Sequence, residues 1–272
     1  MKRIASFLSS LSIQRITAPC LCLMLVLICL FSFQKQLAPT SGIVSSRKLP
    51  IYCVNTESPK VAISFDAAWG NEQTETLLSI LEKYHVKTTF FMTGGWVESY
   101  PDDVKAIAAA GHDLGNHSEN HKQMSTLSAD ECKQEIQKVH DKVKELTGQD
   151  MILFRPPYGD YNDTLIDAAN SLGYHVIQWN IDSLDWKDYG ADNIVSRVVD
   201  NDHLGNGSII LMHNGAKYTP DALERVITGL QEKGYEIVPI SQLIYKENYE
   251  MDHEGRQFIK GNAKWGCCKI DE

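Results

Sequence analysis

Six polar side chains in this 272-residue chain are of types that hydrolytic chemistry uses: Asp66, His117, His121, Arg155, Asp185 and His213. An aspartate closing the apolar run Val61–Phe65 is suited to take a proton from water or to hold a metal. His117 and His121 stand four apart in HSENH, a spacing that aims two imidazoles at one metal if the segment turns helically. Arg155 opens RPPYG, where two prolines and a glycine set an irregular loop, and its guanidinium can orient a carboxylate by a bidentate contact. Asp185 precedes Trp186 in DSLDW, an acid beside a ring that suits the apolar face of a sugar. His213 ends the apolar run Ser208–Met212, where an imidazole can move protons near neutral pH. Taken singly, each reads as readily as a cap, a turn or a satisfied core residue, and His112 reads as structural.

The elements give these residues a common place. Strands are expected at 61–66, 88–92, 112–116, 152–154, 174–179, 208–212 and 235–238. Between them lie helical patterns. One spans 72–84 with Leu77, Leu78, Leu81 and Tyr84 on one face, and another runs from Pro101 to Ala110 before Gly111. A capping box, Ser128 to Glu131, opens a long helix ending at Gly148. Further helices are expected at 163–172, at 192–203, from a Thr219 cap with Pro220 to Gly234, and briefly at 241–245. Seven strands, each followed by a helix or turn, predict a parallel sheet closed into a distorted (β/α) barrel of seven to eight units, with an open doubly wound sheet as the alternative. No G-x-G-x-x-G follows the first strand, which disfavours dinucleotide binding. In such folds the C-terminal strand ends form one face, so the six residues converge on one site.

Composition is that of a globular protein, 43% hydrophobic and 22% charged, and a net charge of −9 gives no reason to expect a nucleic-acid partner. Lys2, Arg3 and Arg15 precede the apolar run Ala18–Phe33. That run is short for a membrane span of about 20 residues and long for a signal-peptide core. The basic flank predicts an N-terminus inside and the rest exported. Residues 1–35 therefore read as an uncleaved signal anchor, placing the protein at the cell membrane by a single pass, or as a secretory signal if cleaved. Residues 36–58 read as a linker, 59–246 as the domain and 247–272 as a polar tail. Cys53 can pair with Cys267 or Cys268, and the seven cysteines show no zinc motif.

Taken in order, SFDAAWG, HSENH, RPPYG, DSLDW and LMH resemble the five motifs of the polysaccharide deacetylases. This family, the NodB-homology or family 4 carbohydrate esterases, reads in outline T-F-D-D-G, H-[ST]-x-x-H, R-x-P-Y, D-x-x-D-W and L-x-H. The resemblance spans about residues 59–245, and FDAAWG followed by NEQT is most similar to the sporulation-associated branch of Gram-positive bacteria. It implies a distorted (β/α) barrel and metal-assisted N-deacetylation of a β-1,4-linked amino-sugar polymer, with a cell-wall glycan, peptidoglycan or a chitin-like glycan, as partner. By position it implies Asp66 as the base, Arg155 as its orienting group, and His117 and His121 as ligands of a divalent metal, usually zinc. It implies the Tyr158 backbone N–H as oxyanion donor, His213 as general acid, and Asp185 (or Asp182) as the carboxylate tuning it. Leu211 matches a wall of the acetate pocket, with Trp186 beside it as a sugar wall. One position departs: the family's third metal ligand, the second aspartate of the first motif, is Ala67 here. Catalytic zinc sites usually have three protein ligands. A neighbour such as Asp66, Asn71 or Glu72 substitutes, or the metal binds weakly, or the chain is a catalytically silent glycan-binding or wall-morphogenesis protein.

Overall fold

The computed structural model describes residues 47–261, so the expected anchor, residues 36–46 of the expected linker, and Cys267 and Cys268 lie outside the described residues. The central sheet is built on β2 (Lys60–Ala67), β3 (Thr89–Met92), β4 (Asp113–Asn116), β5 (Leu153–Phe154), β6 (His175–Val176), β7 (Ile181–Asp182) and β8 (Ile209–His213). Their order is β6-β5-β4-β3-β2-β8-β7, with every pair parallel, and β9 (Glu236–Ile237) pairs in parallel with the start of β2.

The sheet must curl. Seven flat strands would set the edges about 29 Å apart, at roughly 4.8 Å per step. Its edge strands β6 and β7 are joined only by residues 177–180. The five Cα steps from Val176 to Ile181 reach at most about 18 Å. The seam is crossed by the segment Ile51–Val54, whose end is β1 (Cys53–Val54): Ile51 N donates to Val176 O, Gln178 N donates to Ile51 O, and Val54 N donates to Gly207 O. The result is the expected distorted (β/α) barrel.

Strand alternation divides the residues between two cores. On β2, Val61, Ile63, Phe65 and Ala67 pack outward with apolar residues of α1 (Thr74–Lys83), α4 (Ala129–Thr147) and α7 (Thr219–Glu232). Ala62 belongs to the inner cluster with Phe91, Leu153, Ile177 and Ile209. Ser64 and Asp66 share the parity of Ala62 and face the barrel interior. Because β8 runs in register, the inner face pairs Ala62 with Ile209, Ser64 with Leu211 and Asp66 with His213. The inner face changes from apolar to acid–base along the strands.

Several elements differ from the sequence expectation. Of the strand expected at 174–179 only β6 forms, and β7 follows beyond it; between them Gln178 N bonds Ile51 and Asn180 N bonds Ile209 instead of continuing one ladder. An unexpected helix, α2 (Gly94–Ser99), follows β3, capped by Thr93, whose hydroxyl accepts from Trp96 N. Its Gly94 stands where a Cβ would meet the Glu119 carboxylate at 1.9 Å. The capping box at Ser128 and the Gly148 stop form as expected. Residues 249–259, which read as polar tail, form β10 (Tyr249–Met251) and β11 (Arg256–Ile259), and β11 pairs with β1. Gln257, polar in sequence, is fully buried there and bonds Tyr245 through both ends of its amide. Within the stretch that read as linker, Ile51, Cys53 and Val54 are buried. Cys53 is disulfide-bonded and the other described cysteine, Cys132, is free, so the expected pairing with Cys267 or Cys268 falls outside the described residues.

Candidate active site

The pocket at the C-terminal ends of the strands has a volume of about 400 Å³ and is lined by Asp66, His117, His121, Tyr158, Trp186, Leu211 and His213, together with Ala68, Trp69, Trp179 and Asp182. Arg155 and Asp185 lie behind it, each fully buried. The nine residues singled out in the sequence are thus brought to one place from five strand ends, those of β2, β4, β5, β7 and β8.

Asp66 is held from below. Arg155 Nη1 donates to its Oδ1 at 2.7 Å. The other arm, Nη2, donates to Ser64 Oγ at 2.9 Å and to the Gln178 carbonyl at 3.2 Å. The contact to the carboxylate is therefore not the bidentate one expected: one arm orients Asp66 and the other is fixed by the strand. Burial raises the Asp66 carboxyl, but the Arg155 charge, with His117 and His213, outweighs it and holds the group below the ordinary carboxylate range. His117 is itself pushed down to about 4, chiefly by burial, so at neutral pH Arg155 supplies most of that field.

His213 stands on the neighbouring strand. Its Nδ1 donates to Asp185 Oδ1 and its backbone N–H donates to Asp185 Oδ2, both at 2.7 Å. Thr219 Oγ donates to the same Oδ2 at 2.6 Å. Thr219 was expected to cap its helix; its hydroxyl is committed to Asp185 instead. Burial opposes charging of His213, but the hydrogen bond and charge of Asp185, with Asp66 and Asp182, more than offset it and raise the imidazole above its ordinary value. The indole of Trp69 covers the ring at a centroid distance of 5.2 Å. Gly215 makes room for it, since a Cβ there would lie 2.6 Å from the indole nitrogen. Between the two aspartates of DSLDW the geometry selects Asp185 as the partner of His213; Asp182 Oδ1 accepts from Leu184 N instead.

His117 Nδ1 faces the Arg155 carbonyl at 2.7 Å, which only accepts, so the proton sits on Nδ1 and the Nε2 lone pair faces Asp66 Oδ2 at 3.5 Å. His121 lies beside it, ring centroids 4.9 Å apart. The pair meets without a helix: Ser118 and His121 take left-handed backbone angles, Ser118 N bonds Asn116 Oδ1, and His121 N bonds Ser118 Oγ. Tyr158 also has a left-handed backbone, at φ 61°, and its exposed ring stacks edge-on to His121 at 4.5 Å.

The donor set does not fit the three-ligand metal centre that the resemblance implies. Ala67 has the outward parity and is fully buried in the outer apolar core. Asn71 and Glu72 do not line the pocket, and the Asn71 amide bonds Asp103 at 2.8 Å. Among the described residues no group of three His, Cys, Asp or Glu side chains stands close enough to hold a metal ion. The histidines remain as two imidazole donors, with the nearby carboxylate already bound to Arg155.

Ser64, Trp69 and Thr219 were not singled out as site residues. Ser64 had a legible signal, since it lies two positions before Asp66 on the same strand face. Thr219 had none, because its partner is 34 residues away.

A family model described as polysaccharide deacetylase matches residues 54–177. The chain is 31% identical to the peptidoglycan-N-acetylmuramic acid deacetylase PdaA of Bacillus subtilis, over 74% of this chain and 77% of that protein. It is 35% identical to the uncharacterised Bacillus subtilis protein YlxY, over 77% of this chain and 65% of YlxY. Among solved structures, BA3943 of Bacillus anthracis, described as a CE4 family pseudoenzyme, superposes with a TM-score of 0.69 at 36% identity, covering 72% of this chain and 69% of that one. A mutant of BA3943 is described as having restored enzymatic activity.

Proposed function

The chain belongs to the polysaccharide deacetylase family, and from that premise we propose that it removes N-acetyl groups from an amino-sugar glycan of the cell wall. One observation carries the reading: Asp66 and His213 are register partners on adjacent strands, each held by its own buried partner, and both face one pocket. Neighbouring parallel strands lie about 4.8 Å apart, so an acetamide between the two side chains meets a base and an acid together.

Hydrolysis then runs as follows. The Asp66 carboxylate takes a proton from water, and the oxygen forms a bond to the acetamide carbon. The resulting oxyanion lies toward the Tyr158 backbone. The His213 imidazolium gives its Nε2 proton to the sugar nitrogen as the C–N bond breaks, leaving acetic acid and a free amine. Asp185 keeps the imidazole charged and in the correct tautomer. Arg155 keeps Asp66 ionised and aimed. The exposed rings of Trp69, Trp186 and Tyr158 surround the mouth and suit sugar faces. No step is assigned to a metal.

A second reading is favoured by Ala67 and by the 36% identity to a pseudoenzyme: the chain binds wall glycan without cleaving it. Acetate release from N-acetylglucosamine oligomers and from peptidoglycan strands separates the two. Wild type is expected to release acetate, and Asp66→Asn and His213→Ala to lower the rate by at least about a hundredfold. Asp66→Asn leaves Arg155 short of a counter-charge, a change that costs roughly 3–5 kcal/mol, so the assay belongs well below the variant's melting temperature. Glycan binding with no acetate release by wild type would favour the silent reading. Unchanged turnover in either variant would remove the assigned roles.

A further inference from the structure

Asp182 opens the DSLDW motif, yet the reaction above does not use it. It lines the catalytic pocket and also a second cavity of about 340 Å³; Tyr158, Trp179 and Asp182 belong to both, so the two are contiguous. Two polar groups in this second cavity are left unengaged by the fold. Gln178 is 2% exposed, its Nε2 donates to the Gly159 carbonyl at 2.9 Å, and its Oε1 is buried without a partner. Arg197, from α6 (Ala191–Val199), uses only Nε, which donates to the Asp182 carbonyl at 3.2 Å. Among the described residues its Nη atoms have no hydrogen-bond acceptor, and no carboxylate lies at ion-pair distance.

A half-buried guanidinium with both Nη atoms uncommitted is arranged to receive a planar anion through two parallel hydrogen bonds. The buried Gln178 Oε1 calls for a hydroxyl or amide N–H. The rings of Tyr52 and Trp179 supply walls for a sugar face. Asp182 is the one acid in the cavity; burial raises its carboxyl above the ordinary range, while the charges of His213 and Arg197 act to lower it. Resting on the glycan reading given above, we propose that the second cavity is a carboxylate-reading subsite, so that the chain selects amino-sugar glycans bearing a carboxylate next to the acetamide over neutral ones. A neutral N-acetylglucosamine polymer leaves the guanidinium without a partner; an acidic one completes it.

Calorimetric binding tests this without depending on turnover. The probes are an N-acetylglucosamine oligomer, a peptide-free peptidoglycan strand whose N-acetylmuramic acid units carry carboxylates, and the same strand with those carboxyls converted to methylamides. Wild type is expected to bind the acidic strand about tenfold or more tighter than the two neutral probes, in line with a charge-assisted hydrogen-bond pair. Arg197→Gln is expected to bring the acidic strand down to the neutral level. Arg197→Lys should recover only part of the preference, because a point charge lacks the fork. Equal binding of all three probes by wild type would overturn the subsite while leaving the glycan reading standing. So would an equal weakening of all three by Arg197→Gln, the sign of a residue that only anchors the Asp182 loop. Failure to bind any probe would overturn the glycan reading and the subsite together.

Discussion

Asp66 and His213 hold opposite charges in one pocket because each answers to a different buried partner. Arg155 lowers the carboxyl and Asp185 raises the imidazole, in both cases against the effect of burial. In the proposed reaction Asp66 must be ionised and His213 protonated, so the acid limb of activity is expected below the ordinary carboxylate range and the alkaline limb above the ordinary imidazole range of about 6.5. Asp185→Asn removes the anion that favours the imidazolium. The alkaline limb of kcat/KM should therefore move to lower pH, with the acid limb nearly unchanged. An alkaline limb that stays in place would show that His213 is not the titrating acid. The same raised value has a stability consequence. The His213–Asp185 pair contributes fully below pH about 6.5, and its contribution is lost as pH rises through the higher folded-state value. Asp185→Asn should accordingly lower the melting temperature more at pH 6 than at pH 9.

At the scale of elements, strand parity decides what each residue of the first motif can do. Asp66 faces inward with Ser64 and Ala62, while Ala67 turns outward into the core beneath the helices. A methyl group is comfortable there; a carboxylate is not. Ala67→Asp should destabilise the metal-free protein by about 1–3 kcal/mol, the cost of a buried polar group without a partner. The strand ends at position 67, so the new carboxylate can turn toward His117 and His121 and complete a three-ligand set. Zinc should then raise the melting temperature of Ala67→Asp by more than it raises that of wild type, because a ligand bound only by the folded state stabilises it. Scanning calorimetry with zinc and with chelator reads the difference. An equal zinc effect on both proteins would mean that position 67 has no part in metal binding.

For the whole molecule, the barrel is closed by the chain's own early segment. Ile51–Val54 spans the seam between β6 and the approach to β8, and β11 pairs in parallel with its end, β1. Gly207 faces this closure with φ +85°, where a Cβ would lie 1.7 Å from the Val54 carbonyl, so the contact tolerates only glycine. Cys53, bonded in a disulfide at the same place, suits an oxidising compartment. That fits the proposal that the domain lies outside the cytoplasmic membrane, tethered by the apolar run Ala18–Phe33 behind its basic flank. Protease added to protoplasts should digest the domain while sparing a cytoplasmic control. Survival of both would contradict this placement.

Much of this protein was legible because the information is local. Alternating apolar runs, the Ser128 capping box and the Gly148 stop each act over a few residues, and together they specify parallel strands separated by helices. Parallel strands in a curled sheet bring their C-terminal ends together, so six distant residues could be assigned to one site before any distance was known. What the tertiary structure decided depends on partners far apart in the chain. The two-residue strands β1, β6 and β7 are too short to carry a period, and each exists through its ladder with a partner far away in the chain, β11, β5 and β8 in turn. The polar strands β10 and β11 form because β1 offers an edge and Gln257 finds buried partners at Tyr245. The choice of Asp185 over Asp182, the single arm that Arg155 gives to Asp66, and the capture of Thr219 by Asp185 each turn on ångström-scale geometry that residue types alone leave open. Sequence by itself determined which groups meet; only the packing of the barrel decided which atoms face one another, because hydrogen bonds and burial are set by three-dimensional neighbours and not by order along the chain.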